Sequence, residues 1–403
     1  MKKALNIGIV GLGQRSTFML RDTILPQNDV NVVAVCDVYQ DRCEDTAQMV
    51  EEAGRPRPKT TQDYHELLKM EEVEAVIVTS AWEAHLDITC DAMEAGKIVG
   101  FEVGGAYSIE DCWRLVRTYE KTGTPCAMLE NCCYGRNELM MLNMVRQGTF
   151  GEVVHCGGGY CHDLRDEIAW GRENRHYRFR NYLNRCCDNY PTHDLGPIAN
   201  ILDINHGNRM LSLVSMASKA RGLHAFIMDK EGTDYDAANF QFAQGDVVTT
   251  IIKCAHGETI QLTLDTTLPR AYSRKLQVSG TKGIYQEDNQ SIFLDGRENE
   301  YHETWSERWN NIEEYREEFE HPMWKQFLRD GVSGGHGGMD WLEFRAFVDA
   351  AKEGRSAPVD VYDAVTWMSI STLTEQSIAM GGAPVAIPDF TNGKWMQRPR
   401  WEP

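Results

Sequence analysis

The sequence predicts an α/β protein: an N-terminal doubly wound parallel sheet, then an α+β half built on a mainly antiparallel sheet with one open face. Three observations predict it. Short apolar, β-branched runs alternate with helical stretches through the first 130 residues, a glycine-rich turn joins the first strand to the first helix, and beyond Asn131 this rhythm gives way to alternating, turn-rich strands. The chain accordingly divides into a nucleotide-binding unit, 1–130, and a substrate-binding and oligomerisation unit, 131–403, whose last helices pack back on the body.

The first element, residues 5–10 (Leu-Asn-Ile-Gly-Ile-Val), suits a strand buried on both faces. Gly11-Leu12-Gly13-Gln14-Arg15-Ser16 follows at once and leads into a helix over 17–25. A second strand over 30–35 ends in Cys36-Asp37. This is a dinucleotide-binding pattern with Ser16 in the third small-residue position. Gly11 permits the tight turn, Gly13 lets the backbone approach a pyrophosphate, and Ser16 keeps helix and strand close. The pyrophosphate belongs on the helix N-terminus, beside Gln14 and Arg15, where unpaired N–H groups favour negative charge. Asp37 is placed to accept from a ribose 2′-OH and would repel a 2′-phosphate, which favours NAD, although Arg42 is close by.

The alternation continues with helices over 41–53 and 63–69, a strand over 73–80, a helix over 84–95, and a strand over 97–103. Ser108-Ile109-Glu110-Asp111 is a capping box for a helix over 112–121, and 125–129 is a further strand. Ligands on such sheets bind beyond the carboxyl ends of the strands. Ser80, Trp82, His85, Glu102 and Glu130-Asn131 follow strand ends and are expected to line the cofactor cleft. Past a helix over 137–147, strands are predicted from 153 onward, at 246–253, 259–266 and 275–279. Helices follow over 339–352 and 361–379, and the charged run 313–320 reads as a solvated helix face.

Composition narrows the function. The chain has 403 residues, 42% of them hydrophobic and 25% charged, and a net charge of −19, which disfavours nucleic acid and anionic lipid as partners. No apolar run approaches the roughly 20 residues that span a bilayer, and no signal-peptide pattern opens the chain, so a cytoplasmic protein is expected. The 12 cysteines include no Cys-x-x-Cys pair and read as reduced thiols. No tight ligand pattern calls for a metal.

Between Tyr160 and His193 polar and aromatic residues crowd together, among them His162, Arg165, Arg175, His176, Tyr177, Arg178 and Tyr190. Such a set suits a polyhydroxylated ligand, which needs hydrogen-bonding side chains and flat rings. Tyr190-Pro191-Thr192-His193 is its sharpest element, because Pro191 fixes the backbone and presents Tyr190 and His193 together.

These features resemble the Gfo/Idh/MocA oxidoreductase family, with its N-terminal Rossmann domain. The strings 128–136 (Met-Leu-Glu-Asn-Cys-Cys-Tyr-Gly-Arg), 159–165, 190–193, 267–274 and Gly334-Gly335-His336-Gly337-Gly338-Met339-Asp340 resemble its NAD-dependent glycoside hydrolase branch, the α-N-acetylgalactosaminidase-like enzymes. The likeness runs over essentially the whole chain. It implies a sugar site at Glu130, Tyr160, Arg178, Tyr190, His193 and Tyr272. Ordinary dehydrogenases of the wider family carry Glu-Lys-Pro where this chain has Glu102-Val103-Gly104, and an Asp where it has Asn189; both departures agree with the glycosidase branch.

The implied reaction is a redox-neutral cleavage of a small-molecule glycoside with tightly bound, recycled NAD. His193 takes the 3-OH proton and Tyr160, helped by Arg178, the C2 proton, although the two roles can be exchanged. Glu130 and Tyr190 hold sugar hydroxyls, and Tyr272 shapes the pocket. A sugar 3-dehydrogenase with net hydride transfer and a non-catalytic NAD or sugar sensor are the alternatives. His336 reads as a simple loop histidine. The exposed sheet face makes a homodimer or homotetramer the expected assembly.

Overall fold

The computed structural model describes residues 4–297 and 305–403. Its first sheet holds six parallel strands: β1 (Leu5–Val10), β2 (Val30–Cys36), β3 (Lys59–Thr61), β4 (Ala75–Val78), β5 (Ile98–Glu102) and β6 (Cys126–Leu129). Their order is β3-β2-β1-β4-β5-β6, so the direction of winding reverses beside β1 and opens a crevice at the strand ends there. Helices α1 (Gln14–Met19), α2 (Gln40–Glu52), α3 (Tyr64–Leu68), α4 (Trp82–Glu94) and α5 (Ile109–Thr122) connect the strands. The first begins at Gln14, ahead of the predicted 17, and passes into a π-helical turn over Leu20–Ile24. The box before α5 forms as expected: the Asp111 amide donates to Ser108 Oγ at 3.0 Å and the hydroxyl donates back to the Asp111 carboxylate at 2.7 Å.

The second sheet has eight strands: β7 (Val153–Cys161), β8 (Met210–Ala217), β9 (Val247–Cys254), β10 (Thr259–Asp265), β11 (Gln277–Gly280), β12 (Gly283–Gln286), β13 (Ser291–Leu294) and β14 (Val385–Ala386). Their order is β13-β12-β11-β7-β10-β9-β8-β14, and every pair is antiparallel except β7 with β10. One face carries α9 (Thr192–Ile201) on β7 and α14 (Val361–Ala379) on β8, and α6 (Arg136–Arg146) packs against α9. The other is open and presents Met216, Ile251 and Phe293 among Thr249, Gln261 and Gln277. A run of glycines on β7 lets α9 lie directly on the strand. A Cβ at Gly158 would stand 2.9 Å from both Asp194 Cβ and Ile198 Cδ1, closer than real carbons approach. That approach brings His193, at the start of α9, beside the end of β7.

One expectation needs correction, and two short helices go beyond the predicted elements. Between Tyr160 and His193 lie α7 (Arg165–Ala169) and α8 (Arg178–Asn184), too short to carry a helical period. The run 313–320 is not simply a solvated face. It forms a 3-10 turn and the short α11 (Arg316–Phe319), in which Ile312, Tyr315 and Phe319 are buried and Glu320 pairs with Arg136 at 2.6 Å. Three further helices are α10 (Gly222–Glu231), α12 (Pro322–Asp330) and α13 (Met339–Glu353). Both α13 and α14 pack back as predicted, but α13 goes to the first sheet. Its Phe344, Phe347 and Val348 join Ile7, Ile9, Val35 and Ile77 in one buried cluster. At about 1.5–3 kcal/mol per fully buried phenylalanine, this helix is a structural layer of the nucleotide-binding unit.

Candidate active site

The turn after β1 is held by backbone and side chains: the Gly11 amide donates to the Cys36 carbonyl at 2.8 Å, and Thr79 Oγ1 donates to the Gly11 carbonyl. Gly11 has φ +93°, and a Cβ there would lie 2.4 Å from the Ser80 backbone, so no side chain fits. Gly13 is different: its φ is −76°, and a Cβ would meet nothing nearer than Arg42 Nη1 at 3.9 Å. The open space beside Gly13 is a cradle that fits a pyrophosphate. Gly11→Ala should therefore cost more than about 2 kcal/mol of stability, read as a lower denaturation midpoint. Gly13→Ala should leave that midpoint nearly unchanged yet abolish the rise in Tm that NAD+ gives the parent protein.

Asp37, at the end of β2, is fixed by N–H bonds from Leu12 at 2.7 Å and Tyr39 at 3.0 Å, and stays at the rim where a ribose would sit. Ser16 is buried under the turn and Gln14 is exposed at the start of α1. Arg15 departs from expectation. Its guanidinium is occupied by Glu102, 2.7 Å from Nε, and by Asp340, 2.7 Å from Nη1, which leaves it little to offer a phosphate. Asp340 also accepts from Asn131 at 2.7 Å and lies 2.9 Å from His336 Nδ1. His336 thus joins a network with Arg15, Asp340 and Asn131 instead of standing alone in its loop. Farther along the crevice Trp82 Nε1 donates to the Val103 carbonyl at 3.1 Å. Beneath it His85 is buried with only the Ser80 backbone near enough to bond its ring, and burial pushes its pKa down to about 4. A neutral imidazole with an unmet polar atom under the crevice suits a polar ligand such as a dinucleotide.

The sugar-site residues converge at the far end. Tyr160, from β7, lies 4.3 Å from Tyr190 and 5.5 Å from His193 between ring centroids, and Tyr190 and His193 are 4.7 Å apart. Tyr272 stands edge-on to Tyr160 at 6.4 Å from a half-exposed position. Tyr190 also lies 5.7 Å from Trp82, so this cluster adjoins the crevice. Arg178 is buried with its guanidinium 5.1 Å from the Tyr190 ring centre and paired with Glu167 at 2.6 Å. Glu130 has no exposed surface: its Oε1 accepts from His193 Nδ1 at 2.7 Å and from the Cys132 amide at 3.1 Å. Burial alone would raise its pKa, but His193 beside it more than offsets this and brings it below the usual range. An ionised carboxylate only accepts, so His193 carries a proton on Nδ1, and Nε2 is the ring nitrogen not engaged by Glu130.

Both halves of the chain match known families. Residues 134–397 match the family described as "Glycosyl hydrolase 109, C-terminal domain", and 5–129 match "Oxidoreductase family, NAD-binding Rossmann fold". A glycosyl hydrolase family 109 protein of Stenotrophomonas maltophilia is 39% identical over 98% of this chain and 91% of its own length.

The chain belongs to glycosyl hydrolase family 109.

An α-N-acetylgalactosaminidase of Tannerella forsythia is 38% identical over 98% of this chain and 88% of its own. In fold, this family 109 chain is similar to levoglucosan dehydrogenase in complex with NADH and levoglucosan (TM-score 0.69, 16% identity, 96% of this chain and 100% of that one). It is also similar to myo-inositol 2-dehydrogenase of Lactobacillus plantarum (TM-score 0.66, 16% identity, 96% and 100%). It is thus an NAD-dependent glycoside hydrolase on an oxidoreductase-like fold.

Three details of this family 109 site escaped sequence reasoning. Glu130 faces His193 and not open pocket, so the role expected for it on sugar hydroxyls does not suit its position. Asn189, four residues before His193, donates instead to Gln244 at 3.2 Å. His162, just past the end of β7, lies 3.1 Å from the Tyr160 hydroxyl; its position two residues after Tyr160 was the available signal. Burial pushes the Tyr160 phenol above its usual range, and Arg178 offsets only part of this, so the expected help is incomplete. Glu130, Cys132 and His193 place possible metal ligands within 4.8 Å of one another. The Glu130–His193 hydrogen bond already occupies two of those atoms, and burial keeps the Cys132 thiol protonated.

Proposed function

We propose that this family 109 enzyme cleaves hexosaminides, α-N-acetylgalactosaminides first among them, by a redox-neutral cycle with NAD kept bound throughout. Bound NAD+ supplies a reversible two-electron oxidation of the sugar at C3. The residues of the chain move the protons. His193, fixed through Nδ1 by Glu130, receives the 3-OH proton on Nε2. Tyr160 receives the C2 proton, which a neighbouring C3 carbonyl makes acidic because the carbanion is an enolate. The substituent at C1 leaves as an alkoxide, water adds its hydroxyl at C1 while Tyr160 returns its proton to C2, and the proton that water loses neutralises the departed alkoxide through solvent. The two borrowed electrons then return to C3 as His193 gives its proton back to the 3-oxygen. Arg178, Tyr190 and Tyr272 orient the sugar ring. This route avoids an oxocarbenium ion and so needs no pair of opposed carboxylates.

The observation that carries the reading is the Glu130–His193 pair set within the Tyr160–Tyr190 cluster and adjoining Trp82 of the cofactor crevice. The named relatives support the substrate class. The test is incubation of the purified protein with an aryl α-N-acetylgalactosaminide and no added NAD. Aryl release should proceed with no growth of reduced-nicotinamide absorbance; net NADH accumulation would instead make the protein a dehydrogenase. We further assign the open face of the second sheet to self-association. The reaction belongs in the cytoplasm, a reading supported by twelve cysteines that are all free thiols, eleven of them buried. Among the described residues no helix is long and apolar enough to cross a membrane.

A further inference from the structure

The segment between α7 and the end of α8 touches the first sheet at loops on both sides of the glycine turn. Its turn is tightly wound, with the His176 amide donating to the Gly171 carbonyl at 2.6 Å and the Asn174 amide to the Trp170 carbonyl at 2.9 Å. Arg175, at its tip, is held at φ +54°, a strained conformation for a non-glycine residue that surrounding contacts must enforce.

Those contacts lie after β2. Arg175 Nη1 pairs with Asp41 at 2.8 Å, and its guanidinium sits 4.4 Å from the Tyr39 ring centre. Arg42 lies 4.9 Å from the same ring centre, donates to the Asn174 carbonyl at 3.3 Å, and keeps Nη1 3.8 Å from Asp37. Tyr39 is therefore flanked by two cations next to the carboxylate that suits the adenosine ribose. At the other end the contacts lie after β4 and β5. Arg180 pairs with Glu83 at 2.9 Å, Tyr177 packs on Trp82 with ring centres 4.7 Å apart, and the Tyr107 hydroxyl donates to Asn181 at 2.9 Å. In the order β2-β1-β4-β5, a segment anchored on both sides of β1 passes over the loop that follows β1, where Gly13 forms its cradle.

We propose that residues 171–181 are a strap over the dinucleotide, with Arg175, Tyr39, Arg42 and Asp41 as a catch at its adenosine end, and that NAD leaves only when this catch opens. The proposal rests on the reading of the cleft as one that retains NAD. The catch is the end that opens, because Arg175 and Asp41 are solvated, with side chains 41% and 59% exposed. An exposed ion pair and a cation over a half-exposed ring are individually weak. Tyr177 and Arg178, at the other end, are enclosed by Trp82 and Tyr190.

The test measures exchange of bound NAD+ from the purified holoprotein against excess isotopically labelled NAD+. Arg175→Ala should speed exchange about tenfold. Arg175→Lys, which keeps the charge but loses the flat guanidinium on Tyr39, should fall between the two. Raising the ionic strength should hasten exchange in the parent protein and change it little in Arg175→Ala, because the screened pair is already gone. Equal exchange in parent and Arg175→Ala, both holding NAD, would overturn the strap alone. A parent protein that neither carries nor binds NAD+ would overturn the reading of the cleft and the strap with it.

Discussion

Glu130→Gln should lower kcat by about two to four orders of magnitude while leaving KM near its original value. The carboxylate does not reach the pocket; it fixes which nitrogen of His193 bears the proton and balances the charge that forms when Nε2 takes another. Glutamine fills the same volume and keeps an oxygen for the Cys132 amide, so the fold survives. Its neutral amide can present either a donor or an acceptor to Nδ1 and no longer holds one tautomer. A variant that loses affinity and keeps kcat would return Glu130 to the sugar hydroxyls. Linkage gives a second readout. The folded-state pKa of Glu130 is depressed, so its contribution to stability is present above the unfolded value of about 4.3 and is lost as pH falls through the lower folded value. The stability difference between parent and Glu130→Gln should hold steady above about pH 5 and shrink on acidification.

Tyr160→Phe should abolish solvent deuterium incorporation at C2 of the sugar and reduce turnover by about two to four orders of magnitude. The ring stays, so its contacts with Tyr190 and His193 persist and only the hydroxyl, with its 3.1 Å approach to His162, is removed. Oxidation at C3 does not need that hydroxyl. Substrate should therefore leave the cofactor reduced, with absorbance that rises once and does not decay. Unchanged deuterium exchange would pass the role at C2 to another base, His162 being nearest. Because burial raises the phenol pKa, exchange in the parent enzyme should climb with pH well past neutrality.

The first sheet was legible because its information is local. Strand, turn, helix and acidic residue fall within Leu5 to Asp37, and each step has its own residue signal. What failed there was β3: three residues, Lys59–Thr61, are too short and polar to show a pattern. The candidate site was legible as a set of residues and not as a set of partnerships. Tyr160, Tyr190, His193 and Tyr272 do meet, but Glu130 and His193 are 63 positions apart and Arg15 and Asp340 are 325 apart. No periodicity relates such pairs; only the packing of α9 on β7 and of α13 on the first sheet does. The strap was hidden for the same reason, since Arg175 reads as a surface cation until Asp41 and Tyr39 stand opposite it.

The placement of α13 has a consequence for biosynthesis. The first sheet leaves the ribosome with its strands complete at Leu129, yet Phe344 and Phe347, which cover Ile7, Ile9 and Ile77, are translated roughly 200 residues later. At roughly 5–20 residues per second the nascent chain waits about 10–40 s with that apolar surface bare. Over that interval it is a natural client for a chaperone that shields hydrophobic surface, and a message truncated before codon 339 would yield a product that aggregates although every parallel strand is present.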